Sequence, residues 1–249
     1  MARRVTVLVA ALGIVGTAGS VAAELQIAVA SNFANTLHVL AERFELQTGH
    51  VVTLAAGSTG KHYAQIRNGA PFDAFFAADR ARPEKLESDG LTVAGTRFTY
   101  ALGRLVLYSR LEDFVDANGL VLSTGGFGHL AIANPRLAPY GLAAREVLTA
   151  KGQWDRLESR LVRGENVAQA FQFVASGNAE LGFVALSQVI ESGGPAAGSY
   201  WLVPSDLYSP IEQQAVMLVD SAPARAFWRW VRSDEARSLI VAGGYGASR

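Results

Sequence analysis

Cysteine is absent from this 249-residue chain, histidine occurs four times and methionine twice. Without cysteine there are no disulfides and no thiolate ligands for a metal. His38, His50, His62 and His129 include no pair three or four residues apart, so a zinc or copper site has no local nucleus. Asp73 and Asp79 flank an apolar segment but do not form a calcium loop. Charge of one sign is also missing: 22 Lys and Arg balance 22 Asp and Glu, with no block of either. That balance gives no reason to expect nucleic acid or an anionic membrane surface as a partner. Stability must therefore come from a packed core, which a half-hydrophobic chain of this length can build.

The one conspicuous apolar run lies at the start. Arg3 and Arg4 precede Val5 to Val15, interrupted only by Thr6 and Gly13, and small residues lead to Val21-Ala22-Ala23. This is the pattern of a secretory signal peptide cleaved after residue 23, and the run is too short to span a bilayer. The expected mature chain keeps 20 basic and 22 acidic residues and no segment of membrane-inserting length. Export across the inner membrane to the periplasm follows.

Beyond the signal, short apolar strands alternate with amphipathic helices. Strand-like segments at 25–30, 51–56, 73–78, 129–133 and 181–185 are each followed by a helical pattern. Such alternation predicts an α/β fold with mainly parallel sheets flanked by helices. Two extended stretches, 97–109 and 213–219, sit where the chain could cross between two lobes. On that reading residues 24–103 and 214–249 form a discontinuous lobe one and residues 104–213 form lobe two; a single doubly wound domain is the alternative.

Four handovers from strand to helix share one chemistry: Ala30-Ser31-Asn32, Gly57-Ser58-Thr59-Gly60, Pro139-Tyr140-Gly141 and Glu165-Asn166-Val167. Ligands of open α/β sheets bind beyond the carboxyl ends of the strands, where helix starts offer unpaired N–H groups and a positive dipole end. Ser31, Asn32, Ser58 and Thr59 are also ordinary helix caps, and Val167 could be a core residue. Two junctions in each lobe, with no carboxylate or arginine at the cap itself, fit a cleft that grips an anion by dipoles.

Two catalytic motifs are near misses. Ala56-Gly57-Ser58-Thr59-Gly60 lacks the first glycine of a nucleophile elbow, and no histidine follows His129 to serve Ser58 as base. Gly57 to His62 is too short for a phosphate-binding P-loop. A secreted serine hydrolase is therefore the weaker alternative, and no enzymatic activity or cofactor is expected.

The stretches AVASNFANTLHVLAERFELQTGH, GSTGKHYAQIRNGAPFDAFFAAD, RFTYALGRLVLYS, IANPRLAPYGLAAREVL and ASGNAELGFVALSQV resemble, in the same order, the periplasmic molybdate-binding proteins of ABC importers. The resemblance implies a two-lobed clamshell that captures molybdate or tungstate and delivers it, as a monomer, to a membrane permease. Carried over by position, the ligand would meet Ser31 and Thr59 through hydroxyl and N–H, and Tyr140 and Val167 through backbone N–H. Asn32 and Ser58 are adjacent candidates. Some members of the family place a tyrosine hydroxyl on the anion where this chain has Ala185, and the Tyr140 hydroxyl could take its place. Another tetrahedral oxyanion, such as sulfate, stays open, because sequence does not show pocket size.

Overall fold

A computed structural model of the chain describes residues 22–194 and 198–247. The arginines and apolar run read as a signal peptide lie outside the described residues.

The first half of the chain runs β1 (Glu24–Ala30), α1 (Ala34–Thr48), β2 (Val51–Gly57), α2 (Thr59–Arg67), β3 (Ala74–Ala77), α3 (Ala81–Ser88), β4 (Phe98–Gly103) and β5 (Leu105–Ser109). It continues through α4 (Val121–Thr124), β6 (Leu130–Ala133), α5 (Pro139–Ala150), α6 (Trp154–Leu157), β7 (Leu161–Gly164) and α7 (Val167–Ala175). The last elements are β8 (Leu181–Ala185), α8 (Leu186–Glu191), β9 (Ser199–Leu202), β10 (Ile211–Met217), α9 (Ala222–Val231) and α10 (Asp234–Ala242). Local chemistry explains several ends. Gly49 closes α1 in the left-handed region at φ 72°, its N–H bonded to the Glu45 carbonyl. Ser221 and Ser233 cap α9 and α10 by accepting from the N–H three residues on. Among the described residues, no helix is long and apolar enough to cross a membrane.

Two five-stranded sheets form, in the orders β2-β1-β3-β10-β4 and β7-β6-β8-β5-β9. The trio β2-β1-β3 is parallel, as is β7-β6-β8. Antiparallel neighbours complete each sheet, so the sheets are mixed where the sequence suggested mainly parallel ones: β10 pairs antiparallel with β3 and β4, and β5 with β8 and β9. The reason is the crossing itself. β1, β3 and β8 run toward the lobe interface, whereas β5 and β10 arrive from the other lobe and start at that edge. Only Arg104 separates β4 from β5, and residues 203–210 lead from β9 back to β10.

Alternation along the strands feeds two faces of the first sheet. Ile27, Val29, Ala74 and Phe76 pack with Phe33, Phe44, Phe227 and Trp228 under α1, α9 and α10, while Ala28, Phe75 and Ala77 face Ile66 of α2 and Leu86 of α3. The second sheet has its own core, with Leu107, Ile132, Val147, Val174 and Phe183 fully buried. Each lobe thus has its own apolar centre, and the polar groups between them form the site.

Candidate functional site

The strand ends and helix starts of the two lobes meet edge to edge. Ala30 is in register with Gly57, and the Ser31 N–H donates to the Gly57 carbonyl at 2.9 Å. Against this edge lie the starts of α5 and α7. Ser31, Asn32, Ser58, Thr59, Tyr140 and Val167 line one small space of about 10 Å³, together with Ala30, Gly57, Ala78, Ala138, Pro139 and Asn166. A cavity of roughly 10–15 Å³ on this measure holds about one water and drug-sized ligands need roughly 300 Å³ or more, so the space excludes all but a very small ligand. No charged side chain is among the lining residues.

What this space presents is hydrogen-bond donors. Among the described residues, no acceptor is recorded for the backbone N–H of Asn32, Thr59, Tyr140 or Val167. Each belongs to a helix start or the turn before one, where intrahelical acceptors do not exist. The hydroxyls add to the set because their oxygens already accept from the backbone: Thr59 Oγ1 from Ala78 N–H at 3.0 Å, Ser58 Oγ from Lys61 N–H at 3.3 Å, and Ser31 Oγ from Ala168 N–H at 3.4 Å. With lone pairs so engaged, the protons remain to be donated. Four helix dipoles and these donors make the cavity positive without a formal charge.

Several local expectations change. Ser31 and Asn32 do not cap α1; its N-cap is Phe33, with no side-chain bond. Ser31 instead reaches the first turn of α7 in the other lobe. Ser58 does cap α2, and Thr59 is its first residue rather than a cap. Asn32 directs both side-chain protons away from the cavity, to Gln213 Oε1 at 2.9 Å and the Tyr245 hydroxyl at 3.3 Å, which leaves it the backbone N–H. The Tyr140 hydroxyl sits at the strand crossing, where it accepts from Gln213 Nε2 at 3.3 Å. Burial pushes its phenol, like those of Tyr100 and Tyr245, well above the usual range, so all three stay protonated. The Ser58 hydroxyl oxygen serves the Lys61 N–H, and its carbonyl accepts from the His62 backbone N–H at 3.1 Å.

Sequence reasoning missed the polar layer behind the cavity, built from Gln213, Tyr100 and Tyr245. The available signal was Gln213-Gln214 inside the largely buried strand IEQQAVM, since a polar pair in a buried strand demands partners.

The lobes are closed over the cavity. Gly60 N–H donates to the Leu137 carbonyl at 2.8 Å, and Arg82 Nη2 to the Arg136 carbonyl at 3.1 Å. On the far side Ser187 Oγ donates to the Asn32 carbonyl at 3.1 Å, and Asn35 Nδ2 to Glu191 at 2.7 Å. Lys61, the nearest basic residue in sequence, points outward to Glu165 at 3.4 Å. This pair is half-exposed and contributes little beyond steering. His62 is buried under the β2–α2 turn with Nδ1 on Gln65 at 3.0 Å. Its desolvation lowers the pKa, partly offset by the Gln65 bond, and a Cβ at Gly57 would fall 2.8 Å from its Nε2.

Comparison with known proteins bears on the family and the fold. Residues 25–246 match the family described as bacterial extracellular solute-binding proteins. The molybdate-binding protein ModA of Azotobacter vinelandii is 53% identical over 228 residues, 90% of each chain. ModA of Rhodobacter capsulatus is 45% identical over 241 residues, 96% of this chain and 92% of the relative. The solved structure of the Azotobacter vinelandii periplasmic molybdate-binding protein superposes with a TM-score of 0.87 at 46% identity, covering 90% of this chain and all of that one.

Proposed function

Because the chain belongs to the bacterial extracellular solute-binding proteins, we propose that it captures molybdate, or the nearly isosteric tungstate, in the periplasm and hands it to the permease of an ABC importer. The observation that carries this reading is the set of unpaired N–H groups at Asn32, Thr59, Tyr140 and Val167 around one uncharged cavity. The names of relatives 53% and 45% identical over nearly the whole chain support the choice of ligand.

In this proposal a fully deprotonated dianion is held by the backbone N–H groups of Asn32, Thr59, Tyr140 and Val167, and by the hydroxyls of Ser31, Thr59 and Ser58. Hydrogen phosphate carries a proton that needs an acceptor, and a site made of donors leaves that proton unpaired at a cost of about 1–3 kcal/mol. The ligand leaves unchanged; the protein does no chemistry on it and works as a monomer. The lobe division into 24–103 with 214–249, and 104–213, is supported by sheet membership, with Ile211 to Gln213 joining the first lobe through their pairing with β4. An N-terminal signal cleaved after residue 23 accounts for export.

A thermal-shift panel tests the reading. Binding to the folded form alone stabilises by RT ln(1 + [L]/Kd), about 4 kcal/mol at a thousandfold excess over Kd, or roughly 10 °C for a chain of this size. Molybdate and tungstate should give such shifts and sulfate a much smaller one. A shift with hydrogen phosphate or zinc and none with molybdate refutes the proposal.

A further inference from the structure

Gln213 has no exposed surface, and its carboxamide touches both lobes. Its Oε1 accepts from Asn32 Nδ2 at 2.9 Å and from the Tyr100 hydroxyl at 2.9 Å, both in the first lobe. Its Nε2 donates to the Tyr140 hydroxyl at 3.3 Å, at the start of α5 in the second lobe. Two features of the backbone serve this placement. The pairing of β10 with β4 slips between Gln213 and Gln214, and a bulge of this kind re-aims a side chain. Gly103, the last residue before the crossing, leaves room: a Cβ there would lie 2.5 Å from the Tyr140 hydroxyl and 2.8 Å from Gln213 Nε2.

Two of its partners also make a second bond. Asn32 Nδ2 also reaches the Tyr245 hydroxyl, and the Tyr100 hydroxyl also reaches the Ala77 carbonyl at 3.1 Å. What Gln213 alone does is tie Asn32 to Tyr140, two residues from opposite lobes whose backbone N–H groups both face the cavity unpaired.

We propose that Gln213 is the positioning residue of the anion site: one amide, seated at the lobe crossing, sets the spacing between the Asn32 and Tyr140 N–H groups and so governs how long the closed lobes retain the ligand. The inference rests on the reading of the anion site given above. A donor set of this kind loses its grip when one donor moves by about 1 Å relative to another. Because ligand enters the open cleft before these groups converge, the loss falls on dissociation rather than association.

The test is stopped-flow kinetics of molybdate with the parent chain, Gln213→Met and Gln213→Glu. Methionine fills the same space without donor or acceptor; its dissociation rate should rise about tenfold or more while association stays within about threefold. Glutamate separates positioning from packing. Ionised, it offers no proton, so the Tyr140 hydroxyl must turn from acceptor to donor and the spacing across the crossing changes; protonated, it can donate to Tyr140 through one oxygen and accept through the other, as the glutamine amide does. A carboxyl buried beside the phenols of Tyr100, Tyr140 and Tyr245 has its pKa raised by desolvation. Gln213→Glu should therefore dissociate fast at about pH 8 and slow toward the parental rate by about pH 6, while the parent stays flat. The other ionisable groups acting on these phenols are Asp79, Glu191 and Tyr208. Burial raises the Tyr208 phenol and the Glu191 carboxyl above their usual ranges, and the parent chain measured over the same pH range reports any titration of such groups.

If both variants release molybdate at the parental rate, or if Gln213→Glu stays fast at the lower pH, the inference is overturned and the anion site stands. A parent chain that binds neither molybdate nor tungstate overturns the anion site, and this inference with it.

Discussion

Removing either of two hydroxyls at the edge of the first lobe separates what holds the anion from what holds the fold. Ser31 and Thr59 both line the cavity, but their oxygens accept different bonds. Ser31 Oγ accepts from Ala168 N–H at 3.4 Å, a long bond that exists only with the lobes closed. Ser31→Ala therefore leaves each lobe intact and removes one donor to the dianion. A hydrogen bond to a charged group is worth about 1.5–3 kcal/mol, so Kd should rise roughly ten- to 150-fold. The melting temperature of the unliganded protein should move by no more than about 2 °C, because the lost bond is weak and between lobes. Thr59 Oγ1, in contrast, accepts from Ala78 N–H at 3.0 Å inside one lobe, in a position with 1% exposure. Thr59→Val keeps the shape but orphans that buried N–H, so it should cost about 1–3 kcal/mol of unliganded stability besides a similar loss of affinity. Isothermal titration with molybdate and calorimetric melting of the unliganded variants read the two quantities apart. If Ser31→Ala binds molybdate with the parental Kd, the hydroxyl is not a ligand donor and the reasoning from its engaged lone pair fails.

Two further perturbations probe closure and acid stability. A Cβ at Gly60 would lie 3.0 Å from the Leu137 carbonyl oxygen across the cleft, so Gly60→Val should prop the lobes apart. Scattering at saturating molybdate should then give a larger radius of gyration than the liganded parent, and equal radii would refute the wedge. His62 has its folded pKa lowered below 6.5 by burial, so the folded state binds fewer protons than the unfolded one between the two values. Its contribution is complete above about pH 6.5 and is lost as pH falls below that, at no more than about 1.4 kcal/mol per pH unit. His62→Phe should melt with a shallower loss between pH 7 and 5 than the parent, and parallel curves would count against this assignment.

Much of the architecture was legible from short-range pattern. The limits of α9 and α10 follow from Ser221 and Ser233, whose capping bonds span three residues. The apolar runs of β1, β3 and β8 and the stop at Gly49 are equally local. β7 was missed because LVRG is short, half-exposed and carries Arg163; it is a strand only because β6 lies beside it. The short turns α4 and α6 have too few residues for a period to show.

At the site the division is the same. That helix starts at residues 57–60, 139–141 and 165–167 leave N–H groups free follows from backbone chemistry and from proline, glycine and small polar residues in the sequence. Which acceptor each side chain finds does not. Ser31 reads as a cap until α7, 137 residues away, supplies the Ala168 N–H. Asn32 reads as a donor to the ligand until Gln213, 181 residues away, takes one of its protons. The Tyr140 hydroxyl reads as a substitute ligand until Gly103 and Gln213 draw it to the crossing. Strand and helix are chosen by periodicities of two and 3.6 residues, which a single chain displays in order. Hydrogen-bond partners between lobes are chosen by which surfaces meet when the sheets close on each other. That is a property of the folded whole.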